Sequence, residues 1–556
     1  MSSVSAAPPT REARRAVVVA GTVAFAVTAL FATSPVALTQ SDGDLFAHIA
    51  RGRVLRLSGI PTDVTPAWGS AWLLASVHAT GGLSLIALCA ATLAGGTQAV
   101  IADYWRRCGM SPRTLVIATA FGVAFAASHW LARPHAVTIA ASASLLVLLE
   151  CRDTRARWVI PPIFVLWANL HGGWSYGAIV LGAYVAGERL DAWRGTSSRR
   201  APLPGRSRTA AALGLLAATA LATLCTPFGI RLHAAVLHTL ADPAVRGLID
   251  EYKPPALREP SDLLFLVVLG ASVLVLRRAS LPWSHRLVIL ASAAAALRSG
   301  RNISLWAVTG WPLLVVHLEA WHRARVAGAA VGVPAVGEPA VGEPAVAVLT
   351  SRVPLVGSAL VLLLVLAVGP VRHVAVDPTR FPVSAVRQLR LAGSAAPVLG
   401  PLLSTWSWSG YLPYAWSGRR ALFDPLAVSG AEVGVLGQLL TAQRGWRGTL
   451  DSLGIATVLL PVGSPLADAL GAQVGWGVWY RDATAVVFRR RRGEQSGPFT
   501  AATRPLDSTA NLKRVAGVHE PQAQASDRRR RPRPRENRGG RPAIQGGALP
   551  APDGHR

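Results

Sequence analysis

The chain is poor in lysine, cysteine and methionine. Lys253 and Lys513 are its only lysines, so its basicity is carried by arginine. Its four cysteines, Cys89, Cys108, Cys151 and Cys225, are scattered without ligand-like spacing, which argues against a disulfide framework and against a zinc site. Charge of either sign is scarce as well: 15% of the 556 residues are charged, against 51% hydrophobic. A chain that groups its apolar residues in long runs and keeps so few charges is built for a bilayer. The formal net charge of +27 does not point to nucleic acid, because the arginines sit mainly in short gaps between apolar runs and near the C-terminus.

What is present is a repeating hydrophobic pattern. About eleven apolar runs can be counted, at 16–38, 82–103, 114–130, 134–150, 158–170, 173–190, 209–225, 261–276, 286–298, 302–320 and 352–369, several of them shorter than the roughly 20 residues of a straight spanning helix. The first follows Arg11, Arg14 and Arg15 as a signal peptide would, but its length reads as a retained anchor. With residues 1–15 in the cytoplasm, the segments on that side carry about twice as many arginines and lysines as the opposite segments, the bias of cytoplasmic loops. Arginine in place of lysine, with abundant Ala, Gly, Val and Pro, is the coding bias of a GC-rich bacterial genome. The expected fold is therefore a polytopic α-helical protein of the bacterial plasma membrane, with residues 16–370 as its transmembrane domain and 39–81 as its first outer loop.

Three segments break the pattern. Residues 327–348 contain "AVGVPAVGEPAVGEPAVAV", whose recurring Pro and Gly read as a low-complexity linker. In 371–490 the apolar residues alternate or form short runs, "ATVLLPV" (456–462) and "GWGVWYRDATAVVFRR" (475–490), the latter reading as two strands joined at Arg481-Asp482-Ala483. This predicts a small α/β domain, extracytoplasmic if the span count is odd. Residues 491–556, with "DRRRRPRPRENR", have too little apolar content for a core and predict a disordered basic tail that meets anionic lipid or envelope polymer.

Polar side chains collect in the gaps of one register. "SDGDLFAHIARGR" (41–53) brings Asp42, Asp44, His48 and Arg51 directly after the first run, and Ser41 or Asp42 can cap a helix beginning near Asp44. Spacings of four and three put Asp44, His48 and Arg51 on one helix face, with Phe46, Ala50, Val54 and Leu57 on another, the pattern of an amphipathic helix at the membrane surface. "SHWLARPHAV", "WANLHGGWSYG", "IDEYKPP" and "LRSGRNISL" are the other polar gaps on the same side. Each has a plain alternative: Arg133-Pro134 as a helix end, His171-Gly172-Gly173 as an ordinary turn, Arg298 or Arg301 snorkelling to headgroups. Their shared side says more than any one of them.

Taken together, the first loop with its D-G-D, then "RPH", "WANLHGG", "TPFGIRL", "DEYKPP" and "RSGRNISL", resembles the GT-C class of polyprenyl-phosphate-sugar-dependent glycosyltransferases, in a bacterial branch related to dolichyl-phosphate-mannose protein mannosyltransferases. "LLSTWSWSGYLPYAWSGRRALFDPLA" and the segment ending "TAVVFRR" resemble the extracytoplasmic C-terminal domain of one branch. The chain departs from that branch at Leu45-Phe46-Ala47, where a tryptophan-rich start is usual, and at Asp424-Pro425, where a D-G-R-like motif is reduced.

The resemblance implies transfer of a sugar from a polyprenyl-phosphate donor to a glycan, lipid or protein acceptor, at the bilayer boundary. It implies Asp44 or Asp42 as base for the acceptor hydroxyl, with His48 orienting the acceptor or tuning the carboxylate. Arg133, Arg298 and Arg301 are candidates for the donor phosphate, because a guanidinium fork matches phosphate oxygens. His135, Asn169, His171, Glu251 and Asn302 are candidates for contacts to substrate. Asp42 and Asp44 with a histidine also suit a hard divalent cation, magnesium or manganese. Two other classes compete: a transporter or flippase of lipid-linked substrate, and a non-catalytic envelope scaffold of the same fold. A transporter places its binding groups near mid-membrane, which disagrees with spans almost bare of charge. Trp406, Trp408 and Trp416 suit a glycan platform or a small core.

Overall fold

In a computed structural model, residues 26–27, 35–40, 42–60, 63–151, 153–194, 205–243, 249–257, 259–278, 281–326, 374–395, 401–419, 422–426 and 430–491 are described. Most of the first apolar run, the last one, the linker at 327–348 and the basic tail beyond Arg491 lie outside them. The helices of the first part are α1 (Pro35–Gln40), α2 (Asp44–Ser58), α3 (Trp68–Arg107), α4 (Pro112–Ala126), α5 (His135–Glu150), α6 (Ile160–Leu170), α7 (Trp174–Trp193), α8 (Gly205–Ala222), α9 (Ile230–Ala241), α10 (Pro260–Arg278), α11 (Trp283–Arg298), α12 (Ile303–Trp306) and α13 (Gly310–Val326). Each apolar run from 82–103 to 302–320 holds a helix or, for the last, the pair α12 and α13. By length and composition one described helix, α3, is able to cross a membrane, or two if the bent pair of 300–306 with α13 counts as one span.

Glycine and proline set the breaks. α3 is interrupted at Gly81 and Gly82, and Gly82 has φ +62°, where a side chain would be strained. Proline stands in the first turn of α4 and α6, where the missing N–H costs no helical bond. The helices pack through one apolar core in which Trp105, Trp167 and Trp306 are fully buried. Their indole N–H groups are satisfied where a partner is in reach: Trp105 donates to Pro312 O at 3.0 Å and Trp167 to Thr138 Oγ1 at 2.9 Å.

The helices are less bare of ionisable groups than their sequence suggests. Glu150 accepts from Tyr184 Oη at 2.8 Å and lies 3.1 Å from His285 Nε2, while His285 Nδ1 is 2.8 Å from His317 Nε2. Arg157 forms a bidentate pair with Glu188, both bonds 2.9 Å. Asp191 accepts from the backbone N–H groups of Trp283 and Ser284, closing the start of α11 from a neighbouring helix. This network sits at one end of α5, and His135 begins the other, about 23 Å away at 1.5 Å per residue.

Beyond residue 373 the chain forms α14 (Val383–Ala395), α15 (Trp406–Ala415), α16 (Gly430–Leu440), α17 (Trp446–Ser452) and α18 (Pro465–Gly471) around β1 (Leu402–Ser404), β2 (Thr457–Pro461), β3 (Trp476–Arg481) and β4 (Ala485–Arg490). The sheet order is β1-β2-β4-β3, with β1 parallel to β2 and both other pairings antiparallel. The two strands read from sequence are β3 and β4, and the short apolar run at 456–462 holds β2; β1, three buried residues long, offers too few positions for an alternation to register. One face of the sheet closes a core with Leu436, Trp446 and Leu470. Leu459 and Val487, from the other, join α2 and α3.

That second face decides the fate of α2. Leu45 through Ala50 are all buried, so the first half of the helix is enclosed and does not lie as an amphipathic helix on the membrane surface. Only its last turns open, with Val54 at 60% and Leu57 at 90% exposure. Phe46 meets Phe381, Tyr411 and Tyr414 at ring distances of 4.9, 5.4 and 4.7 Å, pairs worth about 0.5–1.5 kcal/mol each beyond burial. Gly43 and Gly410 let α2 and α15 touch backbone to backbone: a Cβ on Gly43 would overlap Ser407 O, and one on Gly410 would overlap Gly43 O. Arg51 pairs with Asp424, and Arg53 donates to Tyr414 O at 2.9 Å.

Candidate functional site

The D-G-D turn is built from its own side chains. Asp42 Oδ1 accepts from Asp44 N–H at 3.0 Å, an Asx turn that closes the first turn of α2. Asp42 Oδ2 and Asp44 Oδ2 then face Arg133, at 2.8 and 3.5 Å from Nη1. Arg133 comes from the turn before α5, where Pro134 ends one element and precedes the next helix, and its side chain is only 5% exposed. Its other nitrogen, Nη2, reaches Glu251 Oε1 at 2.5 Å.

Glu251 links two loops. Ser299 Oγ donates to Glu251 O at 2.8 Å and Gly300 N–H to Lys253 O at 2.8 Å, so the "DEYKPP" and "RSGRN" segments are tied together by their backbones. Glu251 Oε2 thereby lies 3.6 Å from Arg301 Nη1. Burial would raise the Glu251 carboxyl, but Arg301 and Arg133 outweigh it and hold it below its ordinary value. Tyr252 Oη accepts from Arg301 Nη1 at 3.3 Å.

Arg301 continues to the histidines. Its Nε donates to His135 Nδ1 at 3.2 Å, and His135 Nε2 faces Ser304 Oγ at 3.2 Å, which donates to Arg301 O at 2.8 Å. These partners assign His135 as neutral with its proton on Nε2. His171 Nδ1 receives Gly173 N–H at 3.2 Å and lies 2.6 Å from Thr138 Oγ1, which already accepts from Trp167. Both contacts make Nδ1 the acceptor, so the proton of His171 is on Nε2, 3.4 Å from Arg301 Nη2. Two N–H donors thus converge without an acceptor between them among the described residues. Burial, then Arg301, hold His171 neutral.

Electrostatics separates the two aspartates. Burial, then the neighbouring Asp42, push the Asp44 carboxyl from 3.8 up to about 7, with Arg133 pulling the other way. His48, one turn along α2, is buried with Nδ1 lacking a hydrogen-bond partner, and burial, then Arg51 and Arg133, bring it down to about 3. His129 lies 5.8 Å from the His135 ring.

The remaining candidates stand elsewhere. Arg298 is exposed, and among the described residues no hydrogen bond or ion pair ties it to this cluster. Asn169 bridges the scaffold, donating to Val165 O and Cys225 O at 2.8 and 2.9 Å and accepting from Trp68 Nε1 at 3.1 Å. Asn302 donates to Ala295 O at 3.0 Å. Trp408 is buried with its N–H on Arg380 O at 2.9 Å, while Trp416 lines a shallow cavity with Arg390, Leu391 and Gly393. Sequence reading passed over Tyr252, Thr138 and His129, although "IDEYKPP" and "SHWLARPHAV" contain the first and the last; Thr138 sits inside an apolar run. A divalent cation finds no fit: among the described residues no three His, Cys, Asp or Glu side chains group as ligands, and Arg133 already lies against Asp42, Asp44 and Glu251.

No family model and no curated protein matches the chain. Among solved structures, it is similar to the crystal structure of ArnT from Cupriavidus metallidurans bound to undecaprenyl phosphate, with TM-score 0.42 and 14% identity over 86% of this chain and 99% of that one. It is similar also to the archaeal oligosaccharyltransferase AglB from Archaeoglobus fulgidus in complex with an inhibitory peptide and a dolichol-phosphate, with TM-score 0.45 and 11% identity over 86% of this chain and 75% of that one. Both likenesses are of fold alone.

Proposed function

We propose that the chain is a membrane glycosyltransferase, moving a sugar from a polyprenyl-phosphate donor to an envelope acceptor at the extracytoplasmic face of a bacterial plasma membrane. The observation that carries this reading is one continuous polar chain, from Asp44 through Arg133, Glu251 and Arg301 to His171. It joins a carboxyl poised near neutral pH to a pair of N–H donors suited to phosphate.

In this reading an acceptor hydroxyl attacks the anomeric carbon, the bond from that carbon to the phosphate oxygen breaks, and polyprenyl phosphate leaves with the electron pair. Asp44 takes the hydroxyl proton. Asp42 is less suited, since one oxygen accepts from the Asp44 amide and the other from Arg133, whereas Asp44 has a single 3.5 Å contact to Arg133. A base with pKa near the working pH serves best, contributing about 10²–10⁴ in rate. Arg301 and His171 Nε2–H meet the phosphate oxygens as negative charge grows there. Arg133 and Glu251 hold the two halves in register, and His48 backs the turn that carries Asp44.

The test is Asp44→Asn, which keeps the shape and removes the basicity. Membranes containing the full chain are supplied with a panel of labelled polyprenyl-phosphate hexoses and pentoses, and label in glycan, lipid and protein is counted. Wild type transfers label from one donor, and the variant, expressed to the same level, loses about 10²–10⁴ of the rate. An unchanged rate rejects Asp44 as base, and movement of labelled lipid across liposomes without transfer rejects the enzyme in favour of a flippase.

A further inference from the structure

We propose that Arg133 is the resident cation of the cradle formed by Asp42, Asp44 and Glu251: its guanidinium fills the position a divalent metal would take, and the site meets its anionic ligand through arginine and histidine N–H groups alone. The carboxylates come from two separate loops, and five of their six oxygens, all but Asp44 Oδ1, already face an N–H donor. Asp42 gives one oxygen to the Asp44 amide and the other to Arg133 Nη1 at 2.8 Å, and Asp44 Oδ2 lies 3.5 Å from the same nitrogen. Glu251 gives one oxygen to Arg133 Nη2 at 2.5 Å and sets the other 3.6 Å from Arg301.

A planar fork is suited to this task and an aquated dication is not. The guanidinium delivers separate nitrogens, Nη1 and Nη2, to carboxylates of two loops, and it is more weakly hydrated than a compact cation. Its stem is packed, with the side chain only 5% exposed, so it cannot swing into water to admit an ion. Two histidines of the polar chain are engaged: His135 has both nitrogens bonded, and the His171 lone pair on Nδ1 is taken by Gly173 and Thr138. A dication entering beside Asp42 would in addition face the positive charges of Arg133 and Arg301.

The experiment uses manganese ion alone and so stands apart from the transferase reading. Full-length protein in detergent is titrated with Mn²⁺, and free ion is read by electron paramagnetic resonance. Wild type takes up no stoichiometric Mn²⁺ tighter than about 10⁻⁴ M, the weak end of hard-cation sites. Arg133→Ala opens the cradle and binds one Mn²⁺ per chain at least about tenfold more tightly, a gain abolished by adding Asp42→Asn. The proposal is overturned if wild type binds one Mn²⁺ below that threshold and Asp42→Asn removes it, or if folded Arg133→Ala shows no gain. Should Arg133→Ala fail to fold, the comparison of wild type with Asp42→Asn decides by itself.

Discussion

Replacing Arg133 by methionine keeps much of the stem and deletes the charge that three carboxylates share. At an effective dielectric of about 20, two unit charges roughly 4 Å apart attract by about 4 kcal/mol, and Arg133 has two partners at 2.8 and 2.5 Å and a third at 3.5 Å. Part of that attraction is offset by burying the guanidinium. Breaking a buried pair by removing one partner usually costs about 3–5 kcal/mol, because the orphaned charge remains. The carboxylates here are 29%, 29% and 32% exposed, so water reaches them and the lower end, about 3 kcal/mol, is expected. Asp44→Asn alone removes the longest contact together with a like-charge neighbour of Asp42, and at pH 8 raises stability, by less than the roughly 4 kcal/mol ceiling that the raised Asp44 pKa sets. In the double variant one fewer negative charge is left uncompensated, so about 1–2 kcal/mol of the Arg133→Met loss returns. The assay is denaturant unfolding of the four proteins in micelles at pH 8, where Asp44 is ionised, read by tryptophan emission. Effects that add within about 0.5 kcal/mol, or an Arg133→Met loss under about 1 kcal/mol, would refute the claim that these residues act as one electrostatic unit.

Asp44 also predicts opposite pH trends for stability and turnover. Its folded pKa of about 7 lies above the ordinary 3.8, so the stabilisation it contributes is complete below about pH 4 and disappears as pH rises through about 7. About three pKa units set a ceiling near 4 kcal/mol, lowered by solvent reaching a carboxylate that is 29% exposed. Thermal unfolding of wild type should lose stability from pH 4 to 8 relative to Asp44→Asn, while transfer rises over the same window as the base form accumulates; parallel profiles for the two proteins would remove Asp44 from the account. Gly43→Ala places a Cβ against Ser407 O, so α2 or α15 must shift, at about 1–3 kcal/mol. Limited proteolysis should then cut faster between 401 and 419, and an unchanged pattern with wild-type stability would mean that the two backbones are not in contact.

The apolar runs located the helices because helical hydrophobicity is local: nine runs between 82 and 320 each coincide with helix. β3 and β4 were legible for the same reason, as short apolar runs on either side of a turn. That polar groups gather in the gaps was also readable, since an unpaired charge is costly within a hydrocarbon layer.

Which of those polar groups meet was not readable. Asn169, Asn302 and Arg298 stood in the same gaps as His171 and Arg301, yet the two amides are consumed by backbone carbonyls and Arg298 turns outward. The half-buried Glu150 and His285 and the buried His317 were concealed in or beside apolar runs because each is satisfied by partners far away in sequence. The enclosure of α2 by Phe381, Tyr411 and Tyr414, more than 300 residues downstream, reversed an amphipathic reading that its own spacing supported. Periodicity, caps and charge bias are properties of neighbouring residues and so belong to the sequence. The pairing of Asp42, Asp44 and Glu251 around one guanidinium depends on how distant loops close in space, and packing alone decides it.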